Sequence, residues 1–158
     1  MQRTLIVALA GALLLVRAEC SVAADDMKDV RSDDPEMVAG INKARRTVGE
    51  LFDALAEAKP GRESFLLKVA FRRGDDVEHI WLADLNFSGP KPRGVIANEP
   101  RMEGLRFMEE VTFEPSDVTD WMYVEDGRLV GGYTTRVIRE RMSPEERKEF
   151  DASAPFKF

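Results

Sequence analysis

Asp120-Trp121-Met122-Tyr123-Val124-Glu125-Asp126-Gly127-Arg128-Leu129-Val130-Gly131-Gly132-Tyr133-Thr134 is the stretch that decides the fold. If residues 120–125 are extended, Trp121 and Tyr123 fall on one face and Met122 and Val124 on the other. Asp126-Gly127 supplies the positive φ angles of a tight turn, and residues 128–130 return as a second strand. Gly131-Gly132 then breaks that strand, and residues 133–141 have the composition of a helix.

Upstream, Phe65, Leu67, Val69 and Phe71 alternate with Leu66, Lys68 and Ala70, the pattern of a half-buried strand over residues 64–71. A polar turn at 72–76 leads to a returning strand at 77–85, so this pair reads as an antiparallel hairpin. Residues 86–93 form a loop, 94–97 a short strand that ends before Asn98-Glu99-Pro100, and 107–113 a further strand. Before the first hairpin, Asp33 or Asp34 caps a helix with Pro35 at its first position and Glu36 in its first turn. Its apolar stripe is Met37, Ile41, Ala44, Val48, Leu51 and Leu55, with Lys43, Arg46, Glu50, Asp53 and Glu57 turned mostly to solvent, and Lys59-Pro60-Gly61 stops it. At the other end Ser143-Pro144-Glu145-Glu146 is a capping box, opening a short helix to about Phe150. This order predicts an α+β domain. Its mainly antiparallel sheet has about five to six strands, with a long N-terminal amphipathic helix and two short C-terminal helices.

The chain has 158 residues, 44% apolar and 33% charged, with a net charge of −6. Those values exclude collagen-like, disulfide-scaffold and wholly disordered classes and leave room for one domain with a real core. A single Cys and a single His exclude a disulfide framework and most multi-ligand zinc sites. No metal and no cofactor is expected.

The first residues read as an address. Met1-Gln2-Arg3-Thr4 is short and basic, and Leu5 to Val16 is an uncharged apolar run of 12 residues. A bilayer-spanning helix takes about 20 apolar residues, so the run has the length of a signal-peptide core. Ser21-Val22-Ala23 fits small-x-small cleavage, with cleavage after Ala24 as the second choice. Glu19 and Arg17 before Cys20 argue against lipidation. Residues 24–33 are then a flexible leader, and residues 34–156 the domain. Cleavage removes Arg3, Arg17 and Glu19, a net +1, and leaves a Cys-free chain of net charge −6 − 1 = −7. That suits an oxidising compartment and disfavours nucleic acid and anionic lipid surfaces. The expectation is a periplasmic or secreted protein with no stable membrane anchor.

Several segments resemble the bacterial YegJ-like family, a domain of unknown function: Phe65-Leu66-Leu67-Lys68-Val69, Val77-Glu78-His79-Ile80-Trp81, Ala97-Asn98-Glu99-Pro100, Asp120-Trp121-Met122-Tyr123-Val124, residues 127–134 and Met142-Ser143-Pro144-Glu145-Glu146-Arg147. The resemblance runs from about Asp34 to Phe156. It implies a shared compact domain, often preceded by an export signal, and it transfers no catalytic residue.

Glu78 and His79 look like an acid–base pair, but neighbours on a strand point to opposite faces, so Glu78 cannot orient the imidazole. His79 shares its face with Val77 and Trp81. It is either a satisfied structural group or a base completed from a distance, for instance by Asp120. Trp121 and Tyr123 are either core or a stacking platform; Trp121 reads as core, and Tyr123 has a hydroxyl to offer at the surface. Asp117 and Asp120 are suited to cap a turn after Pro115. Gly131-Gly132 before a helix is either an anion cradle, with Arg128 and Arg136 near in sequence, or a chain reversal that needs residues without a Cβ. No Gly-x-Ser-x-Gly elbow, calcium loop or nucleic-acid footprint is present in the sequence.

The candidate ligand contacts are therefore His79, Asn98, Glu99, Asp120 and Tyr123, with no catalytic residue assigned. The leading expectation is an exported binding or interaction module of the cell envelope, with an unknown envelope ligand or protein partner. The alternatives are an envelope-acting hydrolase using His79 and a carboxylate such as Asp120 or Glu99, and a structural subunit of a larger assembly.

Overall fold

A computed structural model describes residues 34–158; the signal-peptide and leader expectations, residues 1–33, lie outside the described residues. Helix α1 (Pro35–Glu57) starts at Asp34, whose carboxyl group accepts from the N–H groups of Glu36 and Met37 at 3.1 and 3.0 Å. It ends at Ala58 in the left-handed region. Met37, Ala44, Leu51 and Ala54 are buried, and Ile41, Val48 and Leu55 are half-buried, as the spacing requires.

The strands are β1 (Arg62–Arg73), β2 (Asp76–Asn86), β3 (Arg93–Ile96), β4 (Glu110–Thr112), β5 (Val118–Glu125) and β6 (Arg128–Gly131). They form one antiparallel sheet in the order β4-β3-β2-β1-β5-β6. Central β1 pairs Leu67 with Leu82 of β2 and with Trp121 of β5. Helix α1 covers this odd-numbered face. Trp121 is wholly buried beneath it, and its Nε1 donates to the Ala44 carbonyl and the Thr47 hydroxyl at 3.1 Å each. Leu51, Leu67, Val69, Ile80, Leu82 and Ile96 complete the centre of the core.

Helices α2 (Tyr133–Glu140) and α3 (Pro144–Ser153) follow β6. Helix α2 packs on α1 at Gly40, where a Cβ would be in ordinary contact with the Tyr133 carbonyl at 3.5 Å. The capping box forms at Ser143 and Glu146, and Arg147 donates to the carbonyls of Arg139 and Glu140, closing the end of α2.

Two expectations need correction. The strand placed at 107–113 is only Glu110–Thr112. Before it, the N–H of Glu109 returns to the Arg106 carbonyl, the Arg106 N–H bonds Glu109 Oε2, and Met108 adopts a left-handed φ of 65°. The turn overrides the apolar pattern. Strand β1 was expected to be half-buried, yet Leu67, Lys68, Val69 and Ala70 are all buried; on the even-numbered face the Thr134 hydroxyl of α2 meets Lys68.

Candidate functional site

The face of the sheet turned away from α1 carries most of the polar chemistry. Register places Lys68 between Trp81 of β2 and Asp120 of β5, and Ala70 beside His79. Lys68, Thr119, Asp120 and Thr134 are all buried there. The Lys68 Nζ donates to Thr134 Oγ1 at 3.0 Å and lies 4.5 Å from the centre of the Trp81 ring, a geometry that stabilises a cation. Burial pushes the Lys68 ammonium below its usual range, and the charge of Asp120 partly restores it.

Asp120 is fully committed to the backbone and side chain of its neighbours. Oδ1 accepts from the N–H groups of Trp121 and Tyr133, and Oδ2 from the N–H and hydroxyl of Thr134, at 2.8, 3.0, 2.8 and 2.5 Å. The residue before α2 is Gly132, which has no side chain to cap with. Asp120 supplies the missing cap from the neighbouring strand. The anion at the two-glycine turn is thus part of the protein itself. The turn after Pro115 is a short 3-10 segment, Pro115–Asp117, without a side-chain cap, so Asp120 serves α2 instead.

His79 is exposed as a whole, but its Nδ1 edge lies 3.0 Å from the Thr119 hydroxyl, which in turn reaches the Lys68 carbonyl. Desolvation of that edge, then the charges of Lys68, Arg72 and Arg45, hold its pKa below the ordinary imidazole value. The folded state therefore binds fewer protons than the unfolded state just below pH ~6.5, and stability should rise with pH through that window. An NMR titration should place the His79 midpoint below ~6.5. A His79→Gln variant should gain on the wild type in urea midpoint as the pH falls from neutral toward 5. An unshifted midpoint would refute the assignment.

The five candidate residues do not share one concavity. His79 and Asp120 stand on the same face, linked through Lys68 and Thr119 but with no bond between their side chains. Tyr123 lies on the α1 face, buried and stacked between Phe65 and Trp121 at ring distances of 5.2 and 6.1 Å. Burial raises the pKa of its phenol. Asn98 clips the end of β3 to β2 through Oδ1, which accepts the Trp81 N–H at 2.8 Å. Glu99 is exposed, its carbonyl accepting from Asn98 Nδ2. Glu78 accepts from the N–H groups of Arg101 and Met102 and anchors the following loop. Two shallow clefts, of about 420 and 230 Å³, are lined by none of the five. Among the described residues, no three His, Cys, Asp or Glu side chains are grouped to hold a metal ion, and no helix is long and apolar enough to cross a membrane.

Lys68, like Thr119, is a member that the sequence pattern did not single out. Its one signal is a lysine in the middle of an apolar strand, followed two residues later by an alanine on the same face.

Comparison with known proteins gives three findings. A family described as an uncharacterised protein conserved in bacteria (DUF2314) matches residues 34–158. The uncharacterised protein YegJ of Escherichia coli is 26% identical over 141 residues, covering 89% of this chain and 91% of that protein. A Neisseria meningitidis serogroup B protein, provisionally described as an ankyrin repeat protein, is 38% identical over 93 residues, or 56% of this chain, which spans only 37% of that relative's length. No solved structure matches.

Proposed function

This chain belongs to DUF2314, a family of uncharacterised proteins conserved in bacteria, and we propose that it is an exported binding module of the cell envelope. The contact surface is the sheet face turned away from α1. The observation that carries this reading is the contrast along β2: Val77 and His79 stand exposed at alternate positions, while Lys68, Thr119, Asp120 and Thr134 are buried and bonded beside them. A mixed apolar and polar surface on a stiff, fully bonded base is suited to recognition, because little ordering is needed on binding. Export is supported by the basic start, the apolar run Leu5–Val16 and Ser21-Val22-Ala23. Hydrolysis by His79 would need a carboxylate partner, whereas its ring meets Thr119 and Asp120 is held by α2.

Photo-crosslinking in the native bacterium tests the reading. A benzophenone side chain at Val77 should give a discrete adduct in the periplasmic fraction, weakened by His79→Ala, and the same probe at Lys148 on α3 should not. Equal labelling from both positions, or recovery only of cytosolic protein that keeps Met1, would overturn it.

A further inference from the structure

We propose that Arg72 and His79, at the open corner of the face turned away from α1, hold the phosphate group of a water-soluble phosphate monoester, with Val77 against its carbon part. The inference names the ligand class of the binding surface proposed above and rests on that reading.

The strand register assembles the corner. On this face β1 presents Lys68, Ala70 and Arg72, and β2 presents Trp81, His79 and Val77, in directly facing pairs. Arg72 therefore stands opposite Val77 and diagonal to His79, a separation of roughly 7–8 Å that long side chains bridge. Arg72, Val77 and His79 are all exposed. The other end of the face is closed. Along β6 the tail of the chain covers the edge: the Leu129 N–H donates to the Lys157 carbonyl at 2.8 Å, and the Lys157 N–H to the Gly127 carbonyl at 2.9 Å. The imidazole is also fixed. Because β1 lies between β2 and β5, the 3.0 Å contact from His79 Nδ1 to the Thr119 hydroxyl crosses over β1 beside the short Ala70. That contact leaves Nε2 as the outward edge of the ring, and Nε2 has no partner among the described residues.

The charges at the corner are one-sided. Arg62, Arg73, Arg93, Arg101, Arg139 and Arg141 each pair with a carboxylate. Arg72 pairs with none and makes no hydrogen bond among the described residues, although Asp75 and Asp76 follow in the same turn. The charges acting on the imidazole, those of Lys68, Arg72 and Arg45, are all positive. The acids nearby are engaged or turned elsewhere. Asp120 accepts its four hydrogen bonds from Trp121, Tyr133 and Thr134. Glu78 points to the opposite face and holds the N–H groups of Arg101 and Met102. Asp117 borders one cleft with Arg72 but forms no ion pair with it.

This chemistry selects the occupant. A guanidinium and a protonated imidazole edge both donate to oxygen. A phosphate monoester brings about −1.5 to −2 charge and three acceptor oxygens at neutral pH, enough to engage both donors at once. A carboxylate brings less charge and fewer oxygens. Val77, at 48% exposure, gives the carbon part of the ester an apolar rest. The chain carries a net charge of −6, which disfavours an anionic bilayer, so the monoester is a free solute and not a lipid headgroup.

The test is an NMR titration of the full chain at low ionic strength in a phosphate-free buffer, with phenyl phosphate, benzoate and benzyl alcohol as probes. Phenyl phosphate should shift the His79 ring and the Val77 methyl groups saturably and raise the His79 midpoint, since a nearby anion favours imidazolium. Benzoate should bind at least about fivefold more weakly, and benzyl alcohol should shift neither group. Arg72→Gln should weaken phenyl phosphate by about fivefold or more. Arg73→Gln, on the opposite face and paired with Glu103, should leave it unchanged. Vesicles of phosphatidylcholine and phosphatidic acid should sediment without the protein. Benzoate binding as tightly, equal losses in Arg72→Gln and Arg73→Gln, capture by the vesicles, or no saturable shift would each overturn the proposal. A crosslinked adduct at Val77 that Arg72→Gln leaves intact would sink the phosphate inference and keep the binding surface. Phosphate binding without any Val77 adduct in the native bacterium would keep the phosphate site and sink the envelope reading.

Discussion

Asp120→Ala should destabilise the domain by about 3–5 kcal/mol, the range for removing one partner from a buried charged network. The carboxyl group accepts four hydrogen bonds, three from backbone N–H groups and one from the Thr134 hydroxyl. Alanine leaves those donors buried without acceptors, removes the cap of α2, and strips the opposite charge from the vicinity of Lys68. Against a typical total of 5–15 kcal/mol, that is a large share. Asp120→Asn keeps one acceptor oxygen and should lose less. Adding Lys68→Met to Asp120→Asn should cost less than the sum of the single changes, because the uncompensated charge disappears with the lysine. Urea unfolding at constant m-value measures all four variants, and hydrogen exchange at Tyr133 and Thr134 reports whether α2 frays first. A loss below about 1 kcal/mol for Asp120→Ala, no more than one ordinary hydrogen bond, would show that the cap is dispensable.

Gly131→Ala comes next in size, at about 2–5 kcal/mol, summing left-handed backbone strain and overpacking. Gly131 has φ 74°, and a Cβ there would sit 2.7 Å from Cε3 of Trp121 and closer still to the Trp121 carbonyl oxygen. Neither can retreat: the indole is wholly buried, and the carbonyl accepts from the Gly132 N–H. Gly127 provides the control. Its φ is 75°, but a Cβ there would meet nothing within 4 Å, so Gly127→Ala should show the strain alone, about 1–2 kcal/mol. If the two variants unfold at the same urea concentration, close approach to Trp121 has no energetic weight.

Local chemistry made much of this fold legible. Asp126-Gly127 could only be a tight turn, and the stripe from Met37 to Leu55 could only be a helix with one buried face; both stand as read. Alternation also placed Trp121 and Tyr123 on one face and His79 with Trp81 on another. It could not say that these are opposite faces of one sheet, because that depends on the register of β5 against β1. Nor could alternation tell whether a face is covered. Lys68 reads as an outward residue until Thr134, 66 positions later, arrives above it. Asp120 reads as an acid looking for a substrate, although a helix that opens on Gly131-Gly132 has no side chain to cap it and must borrow one. That deficit was visible in the sequence. Its remedy, a carboxyl group 13 and 14 residues upstream of the amides it serves, belongs to the tertiary structure.

The closed β6 edge has a practical consequence for chimaeric proteins. Lys157 lies hydrogen-bonded along β6, and the Phe158 ring sits 4.7 Å from the Arg139 guanidinium and 5.3–5.5 Å from the rings of Phe156 and Phe150. A reporter or affinity handle joined directly after Phe158 would have to leave from beneath that aromatic clasp and would lever against the last rung of the ladder.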